Sequence, residues 1–349
     1  MSFRRPPSYF STVFSQPFDE PETDSNARHS MDRLGVKRAI WSGDQQAIPR
    51  TVLEFRPKTN LEDTKPDIVS CVAFSGTGFF FAAGIGNSVF LWNANDISGE
   101  PLLQVQMGNL KPTCLVPYLD GFLCGSSAGQ LISITLDSAK QCRMKGIRAS
   151  KSAICFVAFN SSGDLMSAAG RGGTSIWKRK TNSTLDHDWE YVKLLPQPDE
   201  ASIEPGMLYE VTALGWRTDY PALVVSYQNY GVITWDADTS QQLYSVYLDA
   251  VRLRGSISPD GKRFIYQSGP GFRLLDVETG AVVQSFIDPR ADFNSHDQNQ
   301  EMPAIFLHDG YWMLAADVGK ANLWRIDVNR LVQELLLGDT SNLRRIYED

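Results

Sequence analysis

Short apolar runs that end in tryptophan or a large aliphatic recur along this chain. VFLW ends at Trp92, LISI at Ile134, SIW at Trp177, VITW at Trp235, RLL at Leu275 and NLW at Trp324; an earlier run, AIW, ends at Trp41. Successive ends lie roughly 40–60 residues apart, close to the ~40–45-residue period of four-stranded repeat units lengthened by loops. Two-layer helical repeats fall near the same period, so spacing alone leaves the class open.

The residues inside each repeat decide between the two. From residue 67 onward, β-rich runs of four to seven residues alternate with turn residues, too short for helices of ten or more. One turn recurs as Ser75-Gly-Thr-Gly78, Asp120-Gly121, Ser161-Ser-Gly-Asp164, Ser258-Pro-Asp-Gly261 and Asp309-Gly310. Asp-Gly between apolar runs is a hairpin signal, because Gly accepts positive φ and Asp bonds the turn backbone. A second turn recurs as Gly84-Ile-Gly-Asn87, Gly125-Ser-Ser-Ala-Gly129, Gly170-Arg-Gly-Gly173, Gln267-Ser-Gly-Pro-Gly271 and Asp317-Val-Gly319. Together these place six four-stranded antiparallel units at about 67–107, 110–147, 152–196, 208–248, 251–288 and 302–337.

With those units placed, the sequence resembles the WD-repeat β-propeller family. The likeness rests on Trp at the end of the third strand, on Asp236 directly after Trp235, and on the Ser-Pro-Asp-Gly turn at 258–261. Small-residue pairs in second strands (Ala82-Ala83, Ala168-Ala169, Ala315-Ala316) also match. It implies an all-β propeller domain over 34–337, with six full blades plus an incomplete seventh. The family's Gly-His pair before the first strand is absent, so a His–Asp–Ser/Thr–Trp relay cannot tie each blade together. These degenerate repeats are expected to be held by apolar packing between adjacent sheets, worth ~25 cal/mol per Å² buried.

The seventh blade is the open question. Val36–Trp41 reads as a third strand and Thr51–Phe55 as a fourth, with no convincing first and second strands before them. Residues 338–349 offer one short closing strand at most, Asn342–Tyr347. Either the chain is a shortened form of a longer protein, or Tyr9–Phe14 folds back as a strand. The alternative architecture is a six-bladed ring with 34–56 packed on its edge. Residues 327–337 allow a short helix capped by Asp327, but repeat position favours a fourth strand. Residues 1–33, rich in Pro, Ser, Asp and Glu, read as a disordered arm.

Composition narrows the partners. The formal charge is −7, which gives no basic stripe for a nucleic-acid backbone. No apolar run reaches the ~18 residues of a membrane helix. The N-terminus lacks the apolar core of a secretory signal. Five cysteines with no C-x-x-C spacing fit a reduced, intracellular setting, cytoplasm or nucleus, better than a disulfide framework.

Catalytic motifs are missing. Gly125-Ser-Ser-Ala-Gly129 matches G-x-S-x-G as a string but leads into a strand, where a nucleophile elbow needs a helix. The Gly-rich turns likewise lack a helix N-terminus to cradle phosphate. The four His (His29, His187, His296, His308) read as tail, loop or turn residues. No catalytic, cofactor-binding or metal residue is assigned, and no cofactor is expected. What remains is surface. Turns between second and third strands offer Arg171, Tyr227, Asn229, Tyr230, Phe272 and Lys320, since aromatics and Arg make good interface anchors. The expected function is a non-catalytic scaffold or adaptor that binds proteins through its rim, as a monomer or as a component of a larger complex. The alternatives are a propeller enzyme or small-ligand binder with a polar channel site, and a phosphopeptide or ubiquitin-system reader using Arg171.

Overall fold

The computed structural model describes residues 68–94, 101–119, 121–136, 142–180, 189–198, 209–248, 254–269, 271–287, 303–317 and 320–336. The described residues fall into two compact units, divided between Ile147 and Arg148. The first unit holds two sheets. One is β1 (Val69–Phe74), β2 (Phe80–Ile85), β3 (Ser88–Asn93) and β4 (Leu103–Gln106). The other is β5 (Pro112–Tyr118), β6 (Gly121–Ser126), β7 (Gln130–Leu136) and β8 (Cys142–Arg148).

The second unit holds four more. The third sheet is β9 (Ile154–Phe159), β10 (Leu165–Gly170), β11 (Gly173–Arg179) and β12 (Trp189–Leu194). The fourth is β13 (Val211–Trp216), β14 (Ala222–Tyr227), β15 (Gly231–Asp236) and β16 (Gln242–Tyr247). The fifth is β17 (Gly255–Ile257), β18 (Arg263–Ser268), β19 (Gly271–Asp276) and β20 (Val282–Phe286). The sixth is β21 (Ala304–Leu307), β22 (Trp312–Asp317), β23 (Lys320–Arg325) and β24 (Arg330–Leu336).

Each sheet is an antiparallel meander in chain order, as short hairpins between apolar runs require. All six repeat units coincide with these sheets. Repeat position also decides 327–337: β24 is the fourth strand of its sheet. Among the described residues no helix is long and apolar enough to cross a membrane. The possible strands at Tyr9–Phe14, Val36–Trp41, Thr51–Phe55 and Asn342–Tyr347, and the arm 1–33, lie outside the described residues.

Sheets pack face to face, and the alternation of side chains sets which face meets which neighbour. The third-strand aromatic turns toward the preceding sheet. Trp235 shares a core with Ala169 and Ile176 of the third sheet, and Trp324 meets Phe286 of the fifth edge-on at 5.6 Å. The residue before that aromatic faces the following sheet. Leu91 packs with Leu115 and Phe122 of the second sheet, Ile176 with the fourth, and Leu274 with the sixth. Period-two alternation thus supplies two interlocking faces from one strand.

Several side-chain hydrogen bonds are local. Trp177 Nε1 donates to Ser175 Oγ at 2.9 Å, and Ser175 Oγ to the Ala168 carbonyl at 3.2 Å. This is a short Trp–Ser chain ending on backbone. Turn residues do the rest. Ser75, Asn160 and Ser258 each accept the amide of the residue five further on, Phe80, Leu165 and Arg263. Asp236 and Asp276, which follow the third strands, accept from Thr239 and Thr279 through both backbone amide and hydroxyl, at 2.6–2.9 Å. These bonds pull the Asp236 carboxyl below the ordinary range, with the Thr239 amide contributing most.

Fourth strands carry a further regularity. In the third to sixth sheets the pairing of strands three and four shifts register at the third-strand aromatic position, beside Trp177, Trp235, Leu275 and Trp324. A bulge there twists the outer strand and blunts an otherwise exposed edge.

The Ser-Pro-Asp-Gly turn shows how tightly sheets approach. Gly261 has φ +71°, and a Cβ on it would lie 2.5 Å from the Trp216 carbonyl oxygen of the preceding sheet. Gly261→Ala is therefore expected to destabilise the protein by more than ~1 kcal/mol, since both backbone conformation and space oppose it. Urea denaturation checks this; an unchanged midpoint would contradict the packing described.

Candidate interaction surface

The six residues singled out by sequence occupy different environments. Arg171, in the β10–β11 turn, has a side chain 66% exposed, and its Nε donates to Glu210 Oε2 at 3.4 Å. Glu210 directly precedes β13, so this pair links a turn to the next sheet. Asn229 sits in the β14–β15 turn at φ 61°, a left-handed position that asparagine tolerates. Lys320, which opens β23, is half-buried beside Glu334 on β24, Nζ to Oε2 3.1 Å.

The three aromatics face inward. Tyr227 is 2% exposed, and Tyr230 and Phe272 are also buried. Tyr209, just before β13, meets Tyr227 and Tyr230 edge-on at 6.2 and 6.4 Å, and the Tyr230 hydroxyl pairs with Ser245 Oγ at 3.1 Å. Burial pushes the Tyr227 phenol well above its ordinary pKa. Phe272 lies in the core between the fifth and sixth sheets with Phe286 and Trp324. Tyr227 closes β14, Phe272 lies on β19 and Tyr230 sits in the β14–β15 turn; all three side chains fill contacts between sheets, where sequence reasoning placed them outward on the rim.

Exposed apolar side chains lie instead on the outermost strands of the second unit. β12 presents Tyr191, Val192 and Leu194; β16 presents Leu243, Tyr244 and Tyr247, the last 60% exposed; β20 presents Val282 and Val283. β16 (QLYSVY) and β20 (VVQSF) contain no charged residue. Outer strands are tied to the turn that leads into the next sheet's outer strand. Lys193 Nζ donates to the Asp238 carbonyl, and Gln284 on β20 donates to the Ile326 carbonyl at 2.9 Å. The signal was present in the sequence as fourth strands without charges; sequence reasoning looked to turns instead.

A second feature missed from sequence is an ionic clip. Arg217 follows β13 at the position held by Ser75, Asn160 and Ser258 in other sheets. Its buried guanidinium pairs with Asp219 at 2.8 Å and with Glu278 of the fifth sheet's β19–β20 turn at 2.6 Å, and lies 4.7 Å from the Tyr220 ring. Lys262 reaches Asp219 at 3.0 Å. Hydrogen bonding from Arg217 holds the Asp219 carboxyl far below the usual range, and burial pushes the Tyr220 phenol up to about 12.

Chemistry-bearing groups are otherwise sparse. Among the described residues no group of three His, Cys, Asp or Glu side chains could hold a metal ion. His29, His187 and His296 lie outside the described residues. The five cysteines are unbridged. Burial raises the pKa of Cys71, Cys124, Cys142 and Cys155, and Cys124 Sγ sits 3.8 Å from Met107 Sδ. Such thiols stay protonated at neutral pH and behave as small apolar groups.

Known structures share this arrangement. A chain of the crystal structure of the Mitotic Checkpoint Complex is 17% identical, with TM-score 0.55, covering 74% of this chain and 75% of that one. The Myceliophteria thermophila Cps50 (Swd1) β-propeller domain is 15% identical, with TM-score 0.57, covering 78% of this chain and 87% of that one. The fold is a β-propeller. Its described blades number six. No family model and no curated protein matches the chain, so the WD-repeat likeness rests on the repeat residues and on the propeller fold.

The clip gives the propeller a pH signature. Asp219 has a depressed folded-state pKa, so its contribution is present above the unfolded value of ~3.9 and is lost as pH falls through the folded value. Asp219→Asn should lower stability at pH 7 by on the order of 1 kcal/mol. That is less than the ~3–5 kcal/mol of fully buried pairs, because the carboxylate is more than a third exposed. The difference from the parent should narrow as pH falls below ~3.9 toward pH 2. Urea midpoints measured at both pH values check it.

Proposed function

We propose that this propeller is a non-catalytic scaffold that binds other proteins. The observation that carries this is the band of exposed apolar and aromatic side chains on β12, β16 and β20, borne on sheets whose second strands are largely buried. A rigid support lowers the ordering cost of association, and uncharged aromatic strands supply area with few rotamers to freeze. The partners are proteins that present a complementary apolar surface. The propeller domain of Swd1 and the chain from the Mitotic Checkpoint Complex share the fold and support this class of role by analogy. The five unbridged thiols support an intracellular site of action.

Affinity capture with the full chain, read by mass spectrometry, tests the reading. Leu243→Glu with Tyr247→Glu should remove the captured proteins at least tenfold while leaving the melting temperature within about 3 °C, as expected of exposed positions. Arg171→Glu should leave capture intact. Loss with Arg171→Glu alone would move the interaction to the β10–β11 turn and favour recognition of an acidic or phosphorylated peptide. Capture that none of these substitutions alters would refute the outer-strand surface.

A further inference from the structure

Hydrogen bonding fixes which backbone groups of β16 point outward. The Leu248 amide donates to the Tyr230 carbonyl at 2.9 Å. From there the register runs Gly231↔Tyr247, Val232↔Val246, Ile233↔Ser245 and Thr234↔Tyr244. Bonded and non-bonded pairs alternate, so Val246 and Tyr244 bond β15, whereas Ser245 and Tyr247 turn their N–H and C=O away from it. β16 is the last strand of its sheet, and among the described residues no backbone bond reaches these outward groups. The register shift lies at Thr234/Trp235 and spares residues 244–247.

Other outer strands carry charges of the kind that discourage edge pairing. β8 has Arg143, Lys145 and Arg148, β12 has Glu190 and Lys193, and β24 has Arg330 and Glu334. β16 runs for six residues with neither charge nor proline. Both of its faces are apolar: Tyr247 lies edge-on to Tyr230 at 6.1 Å on one, and Val246 packs toward the fifth sheet on the other. Charge enters only at the leading end, where Asp238 is exposed in the β15–β16 turn. Its amide and carbonyl are engaged by Asp236 and Lys193, and its carboxylate makes no ion pair among the described residues.

We propose that β16 takes an added strand, an extended apolar segment of another protein that runs antiparallel and ends in Lys or Arg. This rests on the outer-strand reading above and names how that surface engages its partner. The segment's backbone satisfies Ser245 and Tyr247, and its side chains cover Leu243, Tyr244 and Tyr247. Antiparallel direction brings its C-terminal cation to Asp238, and the chain's −7 charge favours such a partner.

Hydrogen exchange on the full chain, resolved to single amides, tests this with the peptide acetyl-Thr-Val-Tyr-Val-Thr-Val-Lys-Lys-amide. At millimolar concentration the peptide should slow the Ser245 and Tyr247 amides about tenfold or more. N-methylation of its amides should abolish the effect. Ser245→Pro removes an outward N–H and no ladder bond, so it should end protection of Tyr247 while β13–β15 keep theirs. Ser245→Ala should retain it, and Asp238→Lys should weaken peptide binding about threefold or more. An inert peptide, or protection that survives N-methylation or Ser245→Pro, would overturn strand addition; unchanged affinity in Asp238→Lys would overturn the basic end. If the peptide is inert yet Leu243→Glu with Tyr247→Glu still removes captured proteins, the outer-strand reading stands and this mode alone falls. Amides of Ser245 and Tyr247 already slow in the free monomer, or slow only in a dimer seen by light scattering, would assign the edge to the chain itself or to a second copy, and equally overturn it.

Discussion

A four-stranded sheet with two apolar faces is stable only between two neighbours, and this requirement organises the molecule. A third strand can serve both sides: in the fifth sheet Leu275 packs against the fourth sheet and Leu274 against the sixth. Leu274 and Leu275 are adjacent in sequence yet belong to different inter-sheet cores. The apolar effect acts here through geometry, because alternation at period two is what lets one strand fill two cores. Polar bonds serve turns and the short Trp177–Ser175 chain, and a few tie one sheet to the next, such as Arg217 to Glu278 and Gln284 to the Ile326 carbonyl.

The same packing produces a gradient of exposure that bears on function. β6 and β14 are buried at every position, whereas β16 is exposed at nearly every one. The second strand has sheet on both sides and neighbours on both faces; the fourth lacks a strand on its outer edge. Bulges and turn clips restrain that edge without covering it. Exposed apolar area is therefore plentiful on the outer strands, and the Arg217 clip adds an ionic tie where a plain turn would serve.

Much of this was legible from residues alone. Trp and Gly-Asp punctuation located six sheets because hairpin turns have strict backbone needs, and Asp236, Asp260 and Asp276 took the turn positions their chemistry suits. The surface was less legible. Tyr227, Tyr230 and Phe272 look like display residues in a turn, yet a neighbouring sheet closes over them, the third over the two tyrosines and the sixth over Phe272. Leu243 and Tyr247 look like core residues, yet no further strand covers them. Arg217 reads as an ordinary surface charge, and its acidic partner Glu278 lies some sixty residues away.

By itself, then, the sequence determined the strand and turn order, the period, the sheet boundaries and the absence of familiar catalytic motifs, because each is written in local backbone preference and alternation. Only the tertiary structure decided which side chains face water. That depends on which sheet lies beside which, a relation between residues distant in the chain that local pattern does not encode.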